Sequence, residues 1–187
     1  TVFTGNNEHQ IFNFASEMQC KFDGINFVNG YAEKGGAIVA SLGSYSFTGC
    51  NFSENESVAG GGAMLFSAGG SAIFENCEFN NNESTPLSPD LDDKALGGTI
   101  YCNSNTAGLV LTFKGCVASD NTAYRGGFIC SYGAKINIIN STLTGNESRR
   151  GGGVFYLSSA ADLTVENCVF TENKALYGAT INADSQV

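Results

Sequence analysis

The chain has no tryptophan, two prolines, one histidine and only nine lysines and arginines in 187 residues. Each scarcity removes something. No apolar run reaches about 18 residues, so this segment does not insert into a membrane as a helix. Apolar residues nowhere recur at helical spacing and helix punctuation is missing, so in a chain with 24 glycines nothing competes with a strand reading. The single His9 lies outside the repeating part of the chain. Ser-His-Asp and Cys-His arrangements therefore have no partner there. No C-x-x-C occurs, so neither a zinc site nor a thioredoxin-type site is supported. The net charge is −9, and the few basic residues are scattered. Sequence-independent nucleic-acid binding draws on clustered positive charge, so no nucleic-acid partner is expected.

What is present is repetition. The stretch Phe47 to Met64, F-T-G-C-N-F-S-E-N-E-S-V-A-G-G-G-A-M, has close copies on both sides. Aligned on the asparagine that closes F-x-x-N, the copies fall at Gly30 (a departure), Asn55, Asn82, Asn121, Asn146 and Asn173. The intervals are 25, 27, 39, 25 and 27 residues. A period near 26 that survives this often is a solenoid signature, in which each unit buries its core only against its neighbours. Two columns are apolar: Phe22, Phe47, Phe74, Phe113, Ile138 and Val165, and five residues on, Phe27, Phe52, Phe79, Ala118, Leu143 and Phe170. Between them stand Gly24, Gly49, Asn76, Gly115, Asn140 and Asn167, the residue types that take positive φ most readily, so a one-residue left-handed corner belongs there. Period-two alternation around that corner, resuming after a Gly pair, predicts about three short strands per turn. The fold class is all-β: a right-handed single-stranded parallel β-helix of about six coils of about 26 residues. Residues 1–21 form an N-terminal segment or cap, residues 22–187 the repeats, with a loop insertion at 83–96.

The asparagines Asn55, Asn82, Asn121, Asn146 and Asn173 predict a structural ladder, because an amide at one register offers a donor and an acceptor to the amide of the next coil. Glu54, Glu56, Glu83, Asp120, Glu147 and Glu172 flank that column along one edge. A solvated edge that discourages strand pairing is favoured there over a divalent-cation site. The insertion carries both prolines together with Asp90, Asp92 and Asp93, which are calcium candidates lacking the spacing of a calcium loop. No other cofactor is indicated. Cys50, Cys77, Cys116 and Cys168 share one inward column. Parallel Cβ vectors about 4.8 Å apart favour buried thiols over a Cys50 to Cys77 bridge. Candidate N-glycosylation sequons begin at Asn51, Asn55, Asn82, Asn140 and Asn146. Ladder asparagines facing inward would be poor acceptors, whereas Asn51 alternates outward.

The F-x-x-N motifs at Phe52 to Asn55, Phe79 to Asn82 and Phe170 to Asn173, with the G-G-A-I-like motifs at Gly35 to Ile38, Gly61 to Met64 and Gly97 to Ile100, resemble the repeats of the polymorphic membrane protein family. That family is best known from chlamydial autotransporter surface proteins, and similar repeats occur in large secreted proteins of protists. The resemblance covers residues 22–181, with departures at Gly30, Ala118 and Ala179. It implies a right-handed parallel β-helix displayed at the cell surface as an adhesin or structural filament; no autotransporter barrel is present in this sequence. With the missing catalytic residues, it gives the leading expectation of a non-enzymatic extracellular structural or adhesive rod. The alternatives are a carbohydrate-active β-helix enzyme, either polysaccharide lyase or glycoside hydrolase, and a glycan-binding adhesin. Expected partners are further repeats or other copies stacked end to end, and host or cell-surface glycans or proteins.

Overall fold

A computed structural model describes residues 1–184 except 104–105 and 159, and leaves aside the side chains at 89 and 92. The chain winds as a parallel β-solenoid of about 7 turns whose strands build four sheets, two of seven strands and two of six. In each turn, a strand such as Gly43–Thr48 in sheet I leads to Asn51–Ser53 in sheet II, to Glu56–Ser57 in sheet III and to Met64–Phe66 in sheet IV. Every pairing between coils is parallel and brings equivalent residues into register, for example Phe47 on Phe74 and Phe52 on Phe79.

Two expectations change in detail. There are four strands per turn, not three, because the two residues after each ladder asparagine, one outward and one small and inward, are extended long enough to bond their neighbours. There are seven turns, not six, because Val2–Thr4 pairs with Asn26–Val28 and Phe12–Phe14 with Ile38–Ala40, so the first 14 residues already contribute strands to sheets II and IV. The insertion is also shorter than 83–96. Glu83 and Ser84 belong to sheet III, Leu96 bridges to Arg125, and a short 3-10 helix occupies Pro89–Lys94 between them.

Three left-handed corners per turn hold the cross-section. The first is the expected Gly/Asn column, with φ from 51° at Asn140 to 62° at Gly115. The second directly precedes the ladder asparagine, at Asn29, Glu54, Asn81, Asp120, Gly145 and Glu172. The third is the first glycine of each pair. A Cβ on Gly61 would stand 2.0 Å from the Met64 carbonyl oxygen, whereas one on Gly62 would stand 2.1 Å from the Gly98 carbonyl of the next coil. One glycine makes the turn and the other lets the coils approach. Ala179 replaces the second glycine in the last described coil, where no following glycine carbonyl opposes it among the described residues.

The interior is two stacks of rings. Phe22, Phe47, Phe74 and Phe113 stack at centroid separations of 5.2, 4.9 and 4.7 Å, and Phe27, Phe52 and Phe79 at 4.7 and 5.2 Å. The stacks meet edge to face, at 5.4 Å for Phe47 and Phe52, a geometry that the ring quadrupole favours. Ala118 interrupts the second stack. The same coil carries Phe128 where its neighbours carry Ala63 and Thr99 ahead and Val154 behind, and its ring fills the gap, 5.4 Å from Phe79 and 5.5 Å from Phe113. The core keeps its volume by exchanging a large and a small residue across one turn.

Beside the rings runs the amide ladder. Asn121 Nδ2 donates to the Phe79 carbonyl at 2.9 Å and to Asn146 Oδ1 at 2.9 Å, while its Oδ1 accepts from Asn82 N at 2.9 Å and Asn82 Nδ2 at 3.0 Å. The pattern runs from Asn55 to Asn173, and at the Gly30 departure the backbone N–H still donates to Asn55 Oδ1 at 2.9 Å. The cysteine column forms a parallel row. All seven thiols are free, and those of Cys77 and Cys116 each donate to a carbonyl one coil back at 3.4 Å. The neighbouring Cys116 thiol, together with burial, raises the Cys77 thiol to about 12.

Replacing Asn121 with alanine leaves buried partners unsatisfied and should destabilise the fold by about 1 to 3 kcal/mol in chemical denaturation; a loss below about 0.5 kcal/mol would show the amides to be ordinary surface groups. Phe128→Ala should cost about 3 to 5 kcal/mol. Adding Ala118→Phe to that variant should recover part of the loss, and no recovery would show that the two positions do not share one space.

Candidate functional site

Where the repeat is broken, the outer surface acquires shape. The insertion leaves sheet III after Ser84 and returns through Ala95, whose carbonyl accepts from the backbone N–H of Tyr124 at 2.9 Å and of Arg125 at 3.3 Å. Leu96 then packs outside sheet IV with Cys130 and Tyr156, flanked by Tyr101 and Tyr132, as a second small apolar cluster. Burial raises the Tyr132 hydroxyl to about 12, with Cys130 adding to the rise and Arg125 opposing it. The Cys130 thiol is pushed up by the same burial.

A cleft of about 220 Å³ lies at the base of the insertion, lined by Glu83, Pro86, Thr122, Tyr124, Glu147 and Arg149. A shallower depression of about 570 Å³ continues it past Thr122 and Glu147 to Glu172 and Lys174. Sheet III register explains the lining: Glu83, Thr122, Glu147 and Lys174 stack as one outward row. Glu56 stacks directly on Glu83, and partial burial first, then the Glu83 charge, holds its carboxyl above the usual range. Like charges one strand spacing apart repel, and from Glu83 onward the row alternates acid with a neutral or basic residue.

Sheet III is also bulged here. Ala123 pairs with Ser148 and Arg125 with Gly151, which sets both Arg149 and Arg150 opposite the single Tyr124. Both arginines are exposed. Bulges re-aim side chains in this way. The Arg125 guanidinium carbon lies 5.2 Å from the Tyr156 ring centroid and 5.7 Å from that of Tyr124, and Arg150 Nη1 donates to the Tyr124 hydroxyl at 3.4 Å. The only three arginines of the chain thus occupy two adjacent strands. In the sequence the basic residues look scattered, and the signal for their meeting is a Tyr-Arg and an Arg-Arg placed just before the glycines of consecutive repeats.

The remaining expected residues are dispersed. Asp90 and Asp93 are exposed on the 3-10 helix, the Asp92 side chain lies outside the described residues, and among the described residues no group of three or more His, Cys, Asp or Glu is arranged to hold a metal ion. His9 is exposed in the first, partial turn beside Glu8. Of the sequon asparagines, Asn55, Asn82 and Asn146 are buried with Nδ2 committed to the ladder. Asn51, expected to be accessible, is half-buried: its Nδ2 donates to Ser53 Oγ at 3.2 Å and its Oδ1 is enclosed. Asn140 stands exposed on a left-handed corner. The N-E-S triplets have a structural origin, since Ser57, Ser84 and Ser148 are the small inward residues of sheet III.

Folded protein secreted from a glycosylating host should therefore carry glycan at Asn140 and none at Asn55, Asn82 or Asn146. Peptide mapping that finds a glycan at Asn82 in folded protein would show that the ladder is open.

No helix among the described residues is long and apolar enough to cross a membrane. No curated protein and no solved structure matches the chain. The profile described as the right handed beta helix region matches residues 2–186, and with the stacked parallel coils above, the chain belongs to the right-handed β-helix family.

Proposed function

We propose that the chain is a non-enzymatic extracellular rod with a structural or adhesive role. The observation that carries this reading is the continuity of the axial ladders: amides from Asn55 to Asn173 and rings from Phe22 to Phe113 bond from coil to coil without a gap. Such a molecule is stiff along its axis and presents long parallel faces, which suits spacing or attachment. The resemblance of its F-x-x-N and G-G-A-I-like motifs to polymorphic membrane protein repeats supports a place at a cell surface. A second reading, a carbohydrate-active enzyme, draws on Glu83 and Glu147, which flank Thr122 in one cleft with Tyr124 and Arg149.

One experiment separates them. Purified protein is coated on beads for attachment to cells, and in parallel incubated with a panel of polysaccharides, with and without calcium, while new reducing or unsaturated ends are measured. The rod reading expects attachment without cleavage. Cleavage abolished by Glu147→Gln would overturn it.

A further inference from the structure

The bulged corner of sheet III gathers more positive charge than the composition of the chain would suggest. Arg125, Arg149 and Arg150 sit on two adjacent strands of a chain with net charge −9. Among the described residues, no carboxylate lies within ion-pair distance of Arg125 or Arg150. The rings of Tyr124 and Tyr156 hold Arg125, and its Nε is buried without a hydrogen-bond partner, so its charge is positioned without being neutralised. Guanidinium groups fixed by aromatic faces are preorganised for oxyanions, which they bind through paired N–H donors. The adjoining cleft has the opposite chemistry. Glu83, Glu147 and Thr122 present acceptors, and Tyr124 lines both regions.

We propose that this corner is a binding site for an anionic polysaccharide, in which sulfate or carboxylate groups engage the arginines while hydroxyls of the same chain donate to Glu83 and Glu147. A hydroxyl-rich chain bearing spaced anions satisfies both regions. An acidic polypeptide would bring its carboxylates against those of Glu83 and Glu147, and a neutral glycan would leave the arginines unused. The proposal rests on the adhesive reading above and adds the ligand class and the residues that select it.

The test measures binding of the 187-residue chain to heparin, polygalacturonate, dextran and poly-glutamate by calorimetry at about 50 and 300 mM salt, the charge dependence being a matter of screening. The expected result is binding to one or both anionic polysaccharides, weakened at least tenfold at the higher salt and at least tenfold in Arg149→Gln/Arg150→Gln. That variant alters two exposed side chains and should keep the thermal midpoint of the parent. Lys21→Gln/Lys135→Gln removes the same charge from the outer face of sheet I and should bind as the parent does. Heparin-only or polygalacturonate-only binding identifies the anion as sulfate or carboxylate. Equal binding to dextran, stronger binding to poly-glutamate, or equal losses in the two double variants would each overturn the proposal. Cell attachment is followed with the same variants. Attachment that survives Arg149→Gln/Arg150→Gln overturns the site and leaves the adhesive reading standing; polysaccharide binding lost in that variant, with no attachment by the parent, does the reverse.

Discussion

Every residue in a parallel solenoid lies about 4.8 Å from its own counterpart in the next coil, so each column must tolerate a copy of itself at that distance. The chain meets this constraint with a short menu. An asparagine amide is self-complementary, donor on acceptor, and Asn82 and Asn121 show it at 3.0 Å. A phenylalanine ring stacks on another at nearly the strand spacing, as Phe74 does on Phe113 at 4.7 Å. Glycine accepts a backbone at a distance that no Cβ would allow, as Gly98 does beneath the Gly127 carbonyl. Glutamate is not self-complementary. The acids are accordingly confined to the outer edge, where Glu56 over Glu83 is the one stacked carboxylate pair of sheet III among the described residues, and burial first, then the Glu83 charge, raises the affinity of Glu56 for protons.

The same constraint decides what was legible in the sequence. Columns filled by one residue type announce themselves: the ladder asparagines, the two phenylalanine rows and the Gly/Asn corner were all readable, and with them the fold. The second corner was not, because Asn29, Glu54, Asn81, Asp120, Gly145 and Glu172 share a left-handed φ but no side-chain type. Three of these are acidic residues, whose short or flexible side chains carry the strain in solvent while the backbone pairing around them fixes the angle. Sheet III was hidden for a related reason. A strand of two residues, with one small side chain inward and one outward, shows no alternation to count.

The candidate site was less legible than the fold because it depends on departures, and a departure has no period. Ala118 alone looks like a packing defect and Phe128 alone like an unremarked aromatic; only the ring positions show that one compensates for the other. Arg149 and Arg150 are neighbours in sequence, but their approach to Arg125 follows from a bulge that sets two residues against Tyr124. Burial likewise reassigns the sequons: three of the five spell out a ladder amide followed by an inward serine, a pattern that arises from packing alone.

These departures coincide in space. The insertion leaves the third full coil, the volume exchange occupies the fourth, and the bulge lies between the fourth and the fifth. The coincidence has a mechanical basis. An excursion of this size needs an anchor at its return, and Leu96 supplies one by covering Cys130 and Tyr156 outside sheet IV. That outer cluster places tyrosines where other coils carry Val39 or Leu65, and one of its tyrosines, Tyr156, also gives Arg125 one of its two ring faces. Anchoring one loop thus supplies one aromatic wall of the cationic corner beside it, and Tyr124 of sheet III supplies the other. Because the amide ladder continues through these same coils unbroken, the surface can depart from the repeat there without loss of register.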